Sequence, residues 1–218
     1  MSGYTGDVQV GGPADVRELP GLTITKLAVS EMANNAYLLR DTASGEALLI
    51  DAAAEPEALL AMIGDADVRT VVTTHGHWDH HRALPQVVEA TGAVTVAHPA
   101  DADDLPVPVQ RPVEHGGTVA VGGQTLEVIH LRGHTPGSIA LVWRGGGDAG
   151  THVFTGDSLF PGGPGRTTTP ENFTSLMDDL EARLFPLPDD TWFYPGHGKD
   201  STIGAERPHL QEWRDRGW

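Results

Sequence analysis

The chain has 218 residues, with 30 Asp and Glu against 14 Lys and Arg, and a formal net charge of −16 with histidine neutral. A surplus of that size disfavours nucleic acid and anionic membrane surfaces as partners, because both are held through basic patches. There is no cysteine, which excludes disulfides, zinc–thiolate sites and thiol nucleophiles.

In chain order, residues 1–20 are rich in glycine and proline and read as an N-terminal extension trailing over the surface. Residues 21–218 read as a single domain. The segment Met1–Asp7 has neither a basic start nor an apolar run, and no apolar stretch of about 18 residues follows. No signal peptide and no membrane span are expected, and a cytoplasmic location is. Strand-like runs cover Leu22–Val29, Ala36–Arg40 and Ala47–Ile50, the last two joined as a hairpin by Thr42–Gly45. Glu55–Ile63 reads as a helix with Pro56 in its first turn. Val68–Thr74 is a strand, Leu84–Ala90 a helix and Ala93–Ala97 a strand. A Pro- and Asp-rich loop covers Pro99–Pro112. Strands follow at Thr118–Val121, Thr125–Leu131, Ile139–Arg144 and His152–Thr155. Thr169–Leu184 reads as a helix whose apolar stripe is Phe173, Leu176, Met177, Leu180 and Leu184. Thr191–Tyr194 is a last strand and Gly204–Arg216 a last helix. This order suits two mixed β-sheets packed face to face with helices outside, an αββα sandwich.

One stretch stands apart. Thr74–His81 reads THGHWDHH, four histidines and an aspartate directly after a β-branched run. Imidazoles at i and i+2 can point into one cavity from a turn, and neutral imidazole is a common metal ligand. Asp79 and His80 can turn toward a second point nearby. Three more stretches place a candidate ligand beside glycine just after a strand: His134, Asp157 and His197. His81 reads as a solvent-facing histidine at a helix start. His98, His115, His130, His152 and His209 read as ordinary polar positions.

The set His75-x-His77-x-Asp79-His80, then His134, Asp157 and His197, resembles the signature of the metallo-β-lactamase-fold hydrolases, from about Leu22 to His209. Asp51 matches that family's first motif, a buried structural aspartate beside the site. The resemblance implies two divalent metal ions per chain, zinc first, with iron or manganese also suited to these ligands. His75, His77 and His134 would hold one, and Asp79, His80 and His197 the other. Asp157 would bridge them together with a hydroxide that attacks the substrate carbonyl, and Asp79 and Asp157 would be the catalytic carboxylates. Trp78, Phe160 and Arg166 are candidate substrate contacts.

Within the family, β-lactamases lack the bridging aspartate that Asp157 matches. Acyl-homoserine lactonases carry a tyrosine where this chain has Ser158-Leu159-Phe160. The nucleic-acid-cleaving branch carries a large inserted domain. The compact glyoxalase II-like branch and its persulfide dioxygenase cousins are more similar, through Thr155–Phe160 and Gly196-His197-Gly198. Gly165-Arg166-Thr167 echoes an arginine motif of the dioxygenases, but Thr168 stands where they have aspartate. Only 21 residues follow His197 (218 − 197), without the C-terminal helical domain that grips glutathione in full glyoxalase II enzymes. The expected activity is therefore hydrolysis of a small thioester. The alternatives are a mononuclear iron persulfide dioxygenase on His75, His134 and Asp157, a lactone or ester hydrolase, and a non-catalytic binding module.

Overall fold

The computed structural model describes residues 3–217. The first sheet holds β1 (Asp15–Leu19), β2 (Leu22–Val29), β3 (Asn34–Asp41), β4 (Glu46–Ile50), β5 (Asp67–Val72), β6 (Val94–Ala97) and β7 (Arg111–Pro112), side by side in chain order. Pairing is antiparallel up to β4 and parallel from β4 to β7. Parallel neighbours need crossovers, and α1 (Pro56–Ile63) and α2 (Leu84–Thr91) lie in two of them. The second half of the chain begins with β8 (Thr118–Val121), β9 (Gln124–His130), β10 (Ile139–Gly146) and β11 (Gly150–Gly156). A small hairpin of β12 (Leu159–Phe160) and β13 (Gly163–Pro164) precedes α3 (Pro170–Asp179). Then come β14 (Trp192–Pro195), β15 (Ser201–Thr202), α4 (Ile203–Glu206) and α5 (Leu210–Arg216). The second sheet has the order β15-β14-β11-β10-β9-β8, parallel only between β11 and β14, where α3 makes the crossover.

The period-two alternation of the strands builds the layers. Leu22, Ile24, Tyr37, Leu39, Leu48 and Ile50 turn inward and pack on Leu126, Val128, Leu141 and Phe154 of the second sheet. Their neighbours Ala36, Leu38, Ala47 and Leu49 turn outward onto Leu59, Ile63, Leu84 and Val87 of α1 and α2. On the far side, Ile129, Ala140, Val142 and Val153 meet Phe173, Leu176, Met177 and Leu180. The result is the expected αββα sandwich. Leu176 is fully buried, and truncating such a leucine to alanine costs about 2–5 kcal/mol. No helix among the described residues is long and apolar enough to cross a membrane.

Several elements differ from the sequence expectation. The first 20 residues do not simply trail over the surface. Asp15–Leu19 pairs antiparallel with β2, Asp15 opposite Lys26 and Leu19 opposite Leu22, because Pro20-Gly21 turns the chain back on itself. The helix from Pro170 keeps regular turns to Asp179, then widens until the Phe185 N–H reaches the Leu180 carbonyl. The last helix is split between α4 and α5 by a tight turn at Arg207–His209, since Pro208 has no N–H to continue the ladder. The loop after Pro99 contains a tight helical turn, Pro99–Asp104, and the short edge strand β7.

Candidate metal centre

The ligand candidates follow strands. Asp51 comes directly after β4, His75–His80 after β5, His134 after β9, Asp157 after β11 and His197 after β14. All these strand ends lie on one edge of the sandwich, so the seven ligand candidates, from the four loops after β5, β9, β11 and β14, converge beside Asp51. Three groups have their ligand atoms within 4.8 Å of one another: His75, His77, His134; His75, His80, Asp157; and Asp79, His80, His197. Asp157 Oδ1 lies 3.4 Å from His80 Nε2. Its Oδ2 lies 3.6 Å from His134 Nε2 and 3.4 Å from His197 Nε2. Asp79 Oδ2 lies 3.5 Å from both His80 Nε2 and His197 Nε2.

The outward nitrogens of the rings are fixed. His134 Nδ1 donates to the Arg166 carbonyl at 2.6 Å, and His197 Nδ1 to the Met32 carbonyl at 2.9 Å. A carbonyl can only accept, so each Nδ1 carries a proton, and it is Nε2 that faces inward, with a lone pair for a metal ion whenever the ring is neutral. His80 Nδ1 is 2.9 Å from Asp51 Oδ2, and His75 Nδ1 is 3.0 Å from the Thr74 hydroxyl. Asp51 also accepts the Thr74 N–H and hydroxyl, both at 2.8 Å, tying the end of β4 to the end of β5.

Inside the cluster, His75 Nε2, His134 Nε2 and Asp157 Oδ1 are buried and have no hydrogen-bond partner among the described residues. Buried polar atoms are satisfied as a rule, and three orphans within the overlapping ligand groups, all of metal-ligating type, fit divalent metal ions.

The charges fit as well. Burial, aided by the nearby His80, holds His75 well below the usual histidine value, and burial lowers His134 too. Burial would depress His80 likewise, but the charge of Asp157, 3.4 Å away, and the hydrogen bond that Asp51 accepts from its Nδ1 push it up to about 10. His197 is also opposed by burial, yet its hydrogen bonds with Asp157 and Asp79 raise it to about 9. Burial would raise Asp79, but His197 and Asn34 hold it below the usual carboxylate range. In Asp157 the charge of His80 and its hydrogen bonds outweigh burial in the same way. The metal-free centre thus holds positive charge between two carboxylates, where cations belong.

The candidate substrate contacts spread around this centre. Trp78 is exposed at the rim, with the Arg82 guanidinium 4.4 Å from its ring centroid. The Phe160 ring lies 6.4 Å from that of His197. Arg166 meets the centre through its backbone carbonyl, and the residue also lines a small hollow with Phe173 and Arg216. A cleft of about 600 Å³ opens beside His77 and His134, lined by Asp104, Arg132, Thr168 and Asn172. Asp179 holds Arg132 there through two contacts of 2.8 Å.

Other histidines depart from expectation. His81 is buried rather than facing solvent, with Nε2 3.2 Å from the Gly76 carbonyl. His152 is buried too, bridging the Tyr194 hydroxyl and the Ala149 carbonyl.

Two residues escaped the sequence reading. The Asn34 amide donates to Asp79 at 2.8 Å and sits within 3.5 Å of the His80 and His197 rings. Buried Asp101 accepts from Gly76 N–H (2.8 Å), Gly137 N–H (2.6 Å) and the Thr135 hydroxyl (2.5 Å), fastening the His77 loop to the His134 loop. Asn34 opens β3 and Asp101 sits in a tight helical turn, both short polar residues, and only their distant partners reveal the role.

Comparisons with known proteins place the chain in a family. The sequence model described as the metallo-beta-lactamase superfamily matches residues 29–197. The chain is 31% identical to hydroxyacylglutathione hydrolase GloC of Haemophilus influenzae, over 85% of this chain and 95% of that protein. Other hydroxyacylglutathione hydrolases, 36–38% identical, are longer, and the chain spans 62% of their length. Among solved structures, ETHE1 from Myxococcus xanthus superposes with a TM-score of 0.75 at 35% identity, over 86% of this chain and 82% of that one. TTHA1623 in a di-iron-bound form superposes with a TM-score of 0.69 at 32% identity, over 84% of this chain and 96% of that one. By family model, relatives and fold together, the chain belongs to the metallo-beta-lactamase superfamily.

Proposed function

We propose that this protein hydrolyses a small thioester using two divalent metal ions, zinc being the first choice. His75, His77 and His134 hold one ion, Asp79, His80 and His197 the other, and Asp157 stands between them. The observation that carries this reading is the set of inward orphans, His75 Nε2, His134 Nε2 and Asp157 Oδ1, at the meeting point of the ligand groups. Imidazole and carboxylate donors suit zinc, iron and manganese alike. Divalent ions held there would supply Lewis-acid chemistry, acidifying a water toward neutral pH and polarising an acyl carbonyl.

The chain's own residues do the positioning. Asp51 orients His80, and the carbonyls of Arg166 and Met32 set the tautomers of His134 and His197. Asn34 holds Asp79 in place. The polar cleft beside His77 and His134 receives the acyl–thiol, and Phe160 borders the centre near His197. The likeness to GloC, over nearly the full length of that protein, supports a hydroxyacyl thioester as substrate.

The test is metal content per chain together with turnover on a panel of thioesters, lactones and thiol persulfides. Close to two ions and thioester hydrolysis are expected. One iron per chain with oxygen uptake on a persulfide would replace this reading with the dioxygenase one.

A further inference from the structure

Lys26 stands on β2 in step with Leu22 and Ile24, on the inner face of the sandwich where the strand period calls for an apolar residue. Its side chain is wholly buried against an Asp200 side chain that is 1% exposed. Nζ donates to the Gly6 carbonyl at 2.7 Å, the Gly198 carbonyl at 2.8 Å and Asp200 Oδ1 at 2.6 Å, which uses all three protons. Asp200 Oδ2 accepts from the Tyr4 hydroxyl at 2.5 Å and from the Trp192 indole N–H at 3.4 Å. A buried ion pair is a poor way to gain stability, since apolar residues of similar volume in both places are often neutral or better. The contacts show what else the pair holds.

Gly198 and Asp200 belong to the turn between β14 and β15, and that turn carries His197. Asn35 grips the same turn, its amide donating to the carbonyls of Pro195 (2.9 Å) and Gly198 (3.0 Å), and the Tyr37 hydroxyl donates to Pro195 at 2.6 Å. The N-terminal segment covers the ion pair. Gly6 has φ +69°, and a Cβ there would lie 2.3 Å from Asp200 Oδ2, so the close approach requires glycine.

We propose that Lys26 and Asp200 are positioning residues for His197: the buried ammonium pins the Gly198 carbonyl and Asp200, and thereby sets where the His197 ring stands. The effect on metal rests on the two-ion reading, whereas the effect on the ring does not.

The experiment compares wild type, Lys26→Met, and Lys26→Met combined with Asp200→Leu. It reads the thermal midpoint, the Nδ1–H resonance of His197 in metal-free protein, and zinc titration against a chromophoric chelator. The double variant, free of a lone buried charge, is expected to melt near the wild type. Its His197 Nδ1–H signal is expected to broaden or vanish, and one of the two zinc ions to bind about 10–100-fold more weakly while the other is unchanged. Should Lys26→Met fail to fold, the double variant decides. A double variant that keeps both the His197 signal and both zinc affinities overturns the proposal, and so does one that cannot fold, since the pair would then serve the fold alone. A wild type that takes only one zinc removes the two-ion reading, and the His197 signal then decides by itself.

Discussion

Asp157 is the side chain through which the ligand groups meet, its two oxygens facing His80 on one side and His134 and His197 on the other. Replacing it should disturb both halves of the centre at once. Asp157→Ala is expected to lose orders of magnitude in thioester turnover, on the scale of the several kcal/mol that metal polarisation supplies. The next residue provides a control. Ser158 is fully buried, and its hydroxyl has no hydrogen-bond partner among the described residues. Removing an unsatisfied hydroxyl costs little, and the proposed chemistry needs no serine nucleophile. Ser158→Ala should therefore keep turnover within about threefold, a barrier change of about 0.7 kcal/mol. Both variants are to be assayed side by side with folding checked by circular dichroism. Activity that survives Asp157→Ala but not Ser158→Ala would end the proposed mechanism.

At the scale of elements, the site is a set of short loops that leave strands and must pass very close to one another. The loop after β14 shows how close. A Cβ at Gly196 would lie 2.1 Å from Asp157 Oδ1 and 2.7 Å from Cε1 of His80. Gly196→Ala is expected to leave the sandwich intact, because the clash is with side chains at the edge, but to lower metal content below two ions per chain. Full metal content with wild-type turnover would show that the loop gives way freely. Much of this element level was legible in the sequence. Strand alternation marked the inner and outer faces, and each His or Asp beside a glycine after a strand marked a ligand loop. What stayed hidden depends on partners far along the chain. Lys26 falls in the inner register of β2, but the ion-pair partner that lets a lysine sit there lies 174 residues away. β1 was masked by its glycine- and proline-rich flank, and it is a strand only because β2 offers it a free edge.

For the whole molecule, the centre ties fold stability to pH, with a sign that follows from the shifts. In metal-free protein His80 and His197 titrate near 10 and 9, above the ordinary value of 6.5. A raised histidine binds its proton more tightly folded than unfolded, so this stabilisation is complete below about pH 6.5 and is lost as pH rises toward 9–10. His75 and His134 are depressed instead. They stay neutral in the fold while the unfolded chain takes up protons below about 6.5, so stability also falls on the acid side. Asp79 and Asp157, held below the usual range, lose their contribution at still lower pH. The metal-free protein should therefore melt highest near pH 6–7 and progressively lower toward pH 9–10. Metal loading displaces the protons on His80 and His197, so the stabilisation gained from added zinc should grow over that same alkaline range, with proton release on binding. The net charge of −16 adds self-repulsion at high pH, but taking the difference between loaded and metal-free protein at each pH largely cancels it. Thermal melts with and without zinc from pH 5 to 10 check this. A zinc-induced shift that shrinks between pH 7 and 9, or a metal-free midpoint that climbs there, would mean that His80 and His197 do not hold protons between the carboxylates.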